Sequence, residues 1–382
     1  MPHPNPCAIA SLETPRLLLD RDRLLANCEA MRERCRALGV RLRPHLKTAK
    51  SLDVARVATG AEPCPVTVST LKEAEYFARG GYRDLLYGVG MAPNKLATVA
   101  RIASETGADI LMVTDAGEVI AEAERFAAAE GVAFSFLIEV DCGEHRSGLA
   151  PGDPAAVALA AAIHRAPHLA FRGVMTHAGH SYASDDPRTV QEIAAAERDA
   201  IVGVAEAVRA AGLPCEIVSL GSTPTVMFAD NCRGVTEVRC GIYMFWDLSQ
   251  LSRHVCREED IAISVLASVI GHNRRAGHVV LDAGALALSK DLGANTFLPG
   301  SGFGYLCDPH SMARLGDLAV DIVHQEHGSV RVHDPGWFDR LPVGSLVRIL
   351  PNHACITAAA YDSYDVIAGG EVCERWERVN GW

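Results

Sequence analysis

Three groups of residues in this 382-residue chain have the types and spacing that chemistry needs. Lys47, within RPHLKTAKS, is an amine just after a short extended run, where it could condense with an aldehyde. Gly221, Ser222 and Thr223 form a hydroxyl-rich turn within VSLGSTPT, and Gly241 and Ile242, within VRCGIY, offer backbone N–H groups beside a glycine. Glycine lets an anion approach the backbone, so the two segments together suit a phosphate. His353 and Cys355, within PNHACIT, put an imidazole and a thiol two residues apart. On a strand such residues face the same way. The pair would suit a divalent metal (Zn, Mn, Co, Ni or Mg) and leave coordination positions for water and substrate. Each feature also has an ordinary explanation when taken singly. A lysine near a strand end is usually a solvated charge, Gly-Ser-Thr is usually a turn, and His-x-Cys arises often by chance.

The elements that must position these residues alternate in type. Strands are predicted at 40–46, 65–69, 84–89, 109–114, 133–141, 169–177, 215–220 and 236–242, separated by Ala-rich helical stretches. The clearest helix is predicted over 187–212. There Val190, Ile193, Ala194, Ile201, Val204, Ala205 and Val208 fall on one face, with Glu197 the one charged residue on that stripe. Eight strands alternating with helices predict an α/β fold, a (β/α)8 TIM barrel, over residues 16–255. After about residue 258 the texture changes to short strands with Gly, Asp and Pro turns, which predicts a C-terminal β-rich domain over 256–382. The early strand Leu17–Asp20 makes the segment 1–20 a candidate to join that domain.

Barrel active sites lie at the C-terminal ends of the strands. Lys47 follows strand one, and Ser69 and Thr70 end strand two. Arg146 follows strand five, His177, His180 and Tyr182 follow strand six, Gly221 to Thr223 follow strand seven, and Gly241 and Ile242 end strand eight. Phosphates are commonly held after strands seven and eight. A phosphate there and an amine on strand one point across one mouth, and pyridoxal 5'-phosphate needs both.

Composition narrows the partners. The formal net charge of −11 disfavours nucleic acid or an anionic membrane. No apolar run approaches a membrane span, and the first residues lack an apolar signal core, so a cytoplasmic location is expected. The 12 cysteines form no CxxC framework and read as reduced thiols.

The segments RLRPHLKTAKS, TVSTLKEAEYFARGG, EVDCGEHRSG, THAGHSY, VSLGSTPT, EVRCGIYMFWD, QEHG and PNHAC, in this order, resemble the motif series of the D-serine dehydratase and D-threonine aldolase group. These are fold type III pyridoxal-phosphate enzymes with the alanine-racemase-like architecture. The resemblance implies Lys47 as the Schiff-base lysine. It implies Ser222, Thr223 and the Gly241–Ile242 backbone as the phosphate cup, and His177 and Tyr182 as residues lining the ring. Arg146 would sit near the ring's phenolic oxygen, Arg239 near the pyridine nitrogen, and His353 and Cys355 would hold the metal. The aldolase branch carries His-x-Asp at the last position, so Cys355 implies dehydration, with Lys47 as the base for the α-proton. The implied substrate is a D-3-hydroxy amino acid, with D-threo-3-hydroxyaspartate giving oxaloacetate and ammonia, or D-serine giving pyruvate. A homodimer is implied as well. The alternatives are a metal-dependent aldolase, a racemase using Tyr361 or Tyr364, and a non-enzymatic cofactor carrier. Such carriers lack a second domain, which argues against the last.

Overall fold

The computed structural model describes residues 2–60 and 64–382. Two strands come first, β1 (Pro2–Ala8) and β2 (Arg16–Asp20). Eight parallel strands follow: β3 (Arg41–Leu42), β4 (Val66–Val68), β5 (Asp84–Gly90), β6 (Asp109–Thr114), β7 (Phe134–Val140), β8 (Leu169–Thr176), β9 (Ile217–Leu220) and β10 (Glu237–Val238). Their order is β3-β10-β9-β8-β7-β6-β5-β4, and a parallel bridge between His45 and Thr67 closes the ring. The eight strands fall where the sequence predicts them. Strands such as Val66–Val68 and Ile217–Leu220 are buried along their whole length, as parallel strands covered on both faces must be. Leu86, Leu111, Val113, Leu137, Met175 and Ile217 pack together as a buried cluster.

The first and last barrel strands are shorter than predicted. Regular pairing between β3 and β10 spans only Arg41–Glu237 and Leu42–Val238. Pro44 has no N–H to continue the ladder, and the chain resumes contact through the His45 N–H on the Cys240 carbonyl at 2.8 Å and the Leu46 N–H on the Thr67 carbonyl at 2.8 Å. Buried side chains reinforce this seam. Glu237 Oε1 accepts from Arg43 Nε and from the Ser219 hydroxyl, both at 2.8 Å, and its Oε2 accepts from Arg41 at 2.9 Å. Arg43 also reaches Asp84 at 2.6 Å. Arg239 donates to Ser219 Oγ at 2.7 Å and to the Thr176 carbonyl at 2.6 Å. Burial works against ionisation of Glu237, but Arg43 outweighs it, and the carboxyl sits below its ordinary range.

Helix α1 (Pro187–Ala210) starts where Asp186 caps the backbone N–H groups of Arg188 and Thr189, with Pro187 in the first turn. Its buried face is Val190, Ala194, Glu197, Ile201, Val204, Ala205 and Val208, the predicted stripe with Ile193 only half-buried.

The other strands are β11 (Ile263–Asn273), β12 (His278–Leu281), β13 (Gly304–Cys307), β14 (Arg314–Ala319), β15 (Ile322–Val323), β16 (Gly328–Arg331), β17 (Leu346–Pro351), β18 (Ser363–Ala368) and β19 (Glu371–Glu377). They run β1-β19-β18-β2-β11-β12-β16-β15, with β17 joining β11 to β13 and β13 joining β14. The early strand β2 pairs antiparallel with β11 and parallel with β18. Ile9, Leu18, Leu266, Ile367 and Val372 form a core of this sheet. The chain divides into two compact units. Residues up to Glu29 with Ile242–Arg378 make the β-rich unit, and Ala30–Gly241 with Val379–Trp382 make the barrel unit. The 12 cysteines form no disulfide, and no helix among the described residues is long and apolar enough to cross a membrane.

Replacing Glu237 with alanine leaves Arg43 buried with one anionic partner fewer. Breaking a buried pair in this way costs roughly 3–5 kcal/mol, so Glu237→Ala is expected to lower stability by that amount in chemical denaturation. A loss below about 1 kcal/mol would show that the seam does not hold the ring closed.

Candidate active site

The turn after β3 carries Lys47, which is exposed and makes no hydrogen bond or ion pair to protein among the described residues. The nearby Lys50 is different. It pairs with buried Glu73 at 3.1 Å, and Glu73 also takes the Ser69 N–H and is capped by Thr70. Ser69 and Thr70 thus organise the start of the helix that follows β4, and Lys47 is the amine left open to chemistry.

Around Lys47 stand two imidazoles and a guanidinium. His45 lies two residues before it. Burial first, then the charges of Lys47, Arg239 and His177, holds His45 well below the ordinary histidine range. His177, after β8, donates from Nδ1 to the Gly221 carbonyl at 2.7 Å. A carbonyl can only accept, so Nδ1 carries the proton and Nε2 keeps a lone pair. Burial lowers His177 to about 3, with Lys47, Arg239 and Arg146 adding to the effect. Both rings are neutral near pH 7.

The turn after β9 is built on Gly221, whose φ of +144° suits glycine and whose Cβ would lie 2.8 Å from the Arg239 backbone nitrogen. Ser222 caps the short helix α2 (Thr223–Phe228), and Thr223 is buried in its first turn. Ser222 Oγ lies 2.9 Å from Ser181 Oγ and 3.0 Å from Thr225 Oγ1. At the end of β10, a Cβ on Gly241 would sit 2.6 Å from the His45 carbonyl oxygen. Only glycine lets β10 approach the Lys47 turn so closely. Ile242 follows as the first residue of the β-rich unit and opens a buried 3-10 turn. Tyr182 lies in the 3-10 turn Gly179–Ala183. Arg146 is exposed in the loop after β7, 3.4 Å from Glu144. Arg239 spends two nitrogens on Ser219 and Thr176 inside the barrel.

An amine without a protein partner, two neutral imidazoles, a hydroxyl cluster and two glycine cradles fit pyridoxal phosphate. The buried Thr67 Oγ1 has no hydrogen-bond partner among the described residues, which leaves a polar group there for a ligand to meet.

In the β-rich unit, His353 and Cys355 are not on a strand, contrary to the sequence expectation. Strand β17 ends at Pro351, His353 is the extended residue before helix α3 (Ala354–Ala358), and Cys355 lies in its first turn. The cause is Asp247, which is fully buried and accepts the Ala354 N–H at 2.9 Å, satisfying a helix-start donor. The two side chains still meet, because Cys355 hydrogen-bonds His353. His353 Nδ1 donates to Asp291 at 2.7 Å, and Asp291 in turn takes the Gly293 N–H at 2.7 Å. Burial opposes protonation of His353, but Asp291 and Cys355 outweigh it and push the imidazole up to about 11. Asp291 occupies Nδ1, as the outer partner of a metal-binding histidine does, and a metal ion would have to displace the proton on Nε2. No cluster of three or more His, Cys, Asp or Glu that could hold a metal occurs among the described residues. With only two such ligands, a metal ion here would need water or substrate in its other positions.

Comparison with known proteins bears on both units. Residues 19–249, more than half of the chain, match the family described as alanine racemase, N-terminal domain, and residues 262–367 match the putative serine dehydratase domain. The chain belongs to this alanine-racemase-like, fold type III family. Its members here are D-3-hydroxy amino acid dehydratases and aldolases. D-threo-3-hydroxyaspartate dehydratase of Delftia sp. (strain HT23) is 41% identical over 98% of this chain and 99% of its own. A solved structure of that enzyme superposes with a TM-score of 0.95 at 40% identity, covering 98% of this chain and 100% of the other. A further structure of it, a cysteine-to-alanine mutant, is described as in the metal-free form. D-threonine aldolase from Filomicrobium marinum superposes with a TM-score of 0.84 at 27% identity, covering 99% and 98%.

The structure adds three residues to this picture, His45, Glu197 and Asp291. His45 was visible two residues before Lys47. Glu197 was visible as a charge on an apolar stripe, though its role was not. Asp291 gave no signal, because it lies 62 residues from His353.

Linkage gives the pH test. An unfolded histidine titrates near 6.5, and folded His177 near 3. Between these values the unfolded state binds the extra proton, so stability is fully present above about 6.5 and is lost as pH falls towards 3. His177→Gln removes that proton. Its stability relative to wild type should rise on acidification by up to about 1.4 kcal/mol per pH unit. Parallel curves for the two proteins from pH 7 to 5 would contradict the neutral, buried assignment.

Proposed function

We propose that the protein is a pyridoxal-phosphate- and divalent-metal-dependent dehydratase, acting as a homodimer, that converts D-threo-3-hydroxyaspartate to oxaloacetate and ammonia. The observation that carries this reading is the His353-x-Cys355 pair, with Asp291 on the far side of the imidazole, in a chain 41% identical to a dehydratase of that substrate. The metal-free description of that relative's cysteine mutant supports a metal role for the thiol.

In this reading Lys47 would hold the cofactor through its Nζ amine. Gly221, Ser222 and Thr223, with the backbone of Gly241 and Ile242, would hold the phosphate. His177 and Tyr182 would line the cofactor ring, and Arg146 would supply a cation beside it. The bound cofactor supplies an electron sink that acidifies the substrate α-carbon. Lys47 Nζ would also serve as the base for the substrate α-proton. Glu73 holds Lys50, so that second lysine does not compete. The neutral His177 adds no positive charge beside the working amine, while its Nδ1 proton stays on Gly221. His353 and Cys355 would hold a divalent ion, which would supply Lewis acidity towards the β-hydroxyl, a poor leaving group by itself. One water is lost in elimination and one regained when the product hydrolyses, leaving a 2-oxo acid and ammonia.

The test is product analysis with D-threo-3-hydroxyaspartate, with and without a chelator. Ammonia and oxaloacetate should appear in equal amounts. Chelation should abolish turnover and leave the cofactor absorbance band in place. Glycine and an aldehyde as products would make the protein an aldolase, and full-rate elimination in the chelated enzyme would remove the metal from the mechanism.

A further inference from the structure

Helix α1 buries one carboxylate on an otherwise apolar face. Glu197 is 1% exposed and makes no ion pair among the described residues. Its Oε1 accepts two backbone N–H groups, from Ala178 at 3.1 Å and from Gly221 at 3.2 Å. The Thr225 hydroxyl also hydrogen-bonds the Glu197 carboxyl. These contacts lie on the turns after β8 and β9. The Gly221 carbonyl takes the Nδ1 proton of His177, the residue before Ala178. A closed circuit results. Glu197 holds both turns by their N–H groups, and the turns hold each other through the imidazole. Ser222, next to Gly221, carries the hydroxyl that meets Ser181 and Thr225.

An apolar side chain would fill this slot without the cost of burying a carboxyl. That cost is visible, because burial pushes Glu197 up to about 7. Nothing in the packing of α1 needs the charge. The two N–H groups do need an acceptor, since each would otherwise be buried and unpaired.

We propose that Glu197 is a positioning residue of the cofactor site: its Oε1 locks the turns after β8 and β9 together, and so fixes the His177 ring and the Ser222 hydroxyl before pyridoxal phosphate binds. The inference rests on the cofactor reading above. Glu197 touches neither substrate nor cofactor in this role and acts through the two turns.

The experiment uses the holoenzyme in two variants. Glu197→Met fills the slot without an acceptor, and Glu197→Gln keeps an oxygen at the Oε1 position. Two properties are read: the pyridoxal-phosphate dissociation constant by equilibrium dialysis, and the His177 ring tautomer by nitrogen-15 NMR. Glu197→Met should weaken cofactor binding by about 10- to 100-fold, the scale of one or two lost charge-assisted hydrogen bonds. It should also release His177 from a fixed Nδ1–H tautomer. Glu197→Gln should restore the tautomer and bring cofactor binding to within about 5-fold of wild type. A folded Glu197→Met protein with wild-type cofactor affinity and an unchanged tautomer would overturn the proposal. So would a Glu197→Gln protein as impaired as the methionine variant, because the acceptor would then not be what matters. If wild-type protein retains no pyridoxal phosphate, the cofactor reading fails, and the tautomer readout alone still decides whether Glu197 locks the turns.

Discussion

Eight parallel strands can present residues to a common mouth only if the ring closes, and here closure rests on a narrow seam. The ladder between β3 and β10 is two residues long on each side. What the backbone lacks, Glu237 supplies, by holding Arg41, Arg43 and Ser219 on two oxygens. From Ser219 the contacts continue to Arg239 and the Thr176 carbonyl, so β3, β10, β9 and β8 are tied by one buried polar chain. The turn bearing Lys47 and the turns bearing Gly221 and His177 hang from those same strands. The bare Cα of Gly241 then lets β10 press against the backbone of His45, which fixes the Lys47 turn from its other side.

Charge is arranged around that amine with some economy. Lys47, Arg239 and Arg146 are cations acting here, and the two imidazoles are held neutral by burial first and then by these charges. Protonated rings beside the amine would repel it, whereas neutral ones offer lone pairs. Lys50, so near in sequence, is withdrawn by Glu73. In the β-rich unit the logic is inverted. His353 sits among Asp291, Asp247 and Cys355, an anionic setting that favours a bound cation.

Much of this was legible in the sequence because it depends on local pattern. The eight strands announce themselves as short β-branched runs, and α1 by its spacing from Val190 to Val208. The placement of Lys47, Ser222 and Gly241 follows from strand order once the barrel is assumed. The rest depends on distant partners. The strand expected at His353 gives way to a helix because Asp247, far away in sequence, offers an acceptor to Ala354. Asp291 reaches His353 across 62 residues that carry no shared motif. Glu197 broke the apolar pattern in plain sight, but only the structure shows the two N–H groups that require it.

The central claim is that Lys47, without a protein partner among the described residues, is the amine that would hold the cofactor. Borohydride reduction of the holoenzyme, followed by digestion and mass spectrometry of the peptides, tests it most directly. The account predicts a pyridoxyl adduct on the Lys47 side chain within RPHLKTAKS and none on Lys50. An adduct on Lys50 or elsewhere, or a protein that yields no adduct while retaining the cofactor, would contradict it.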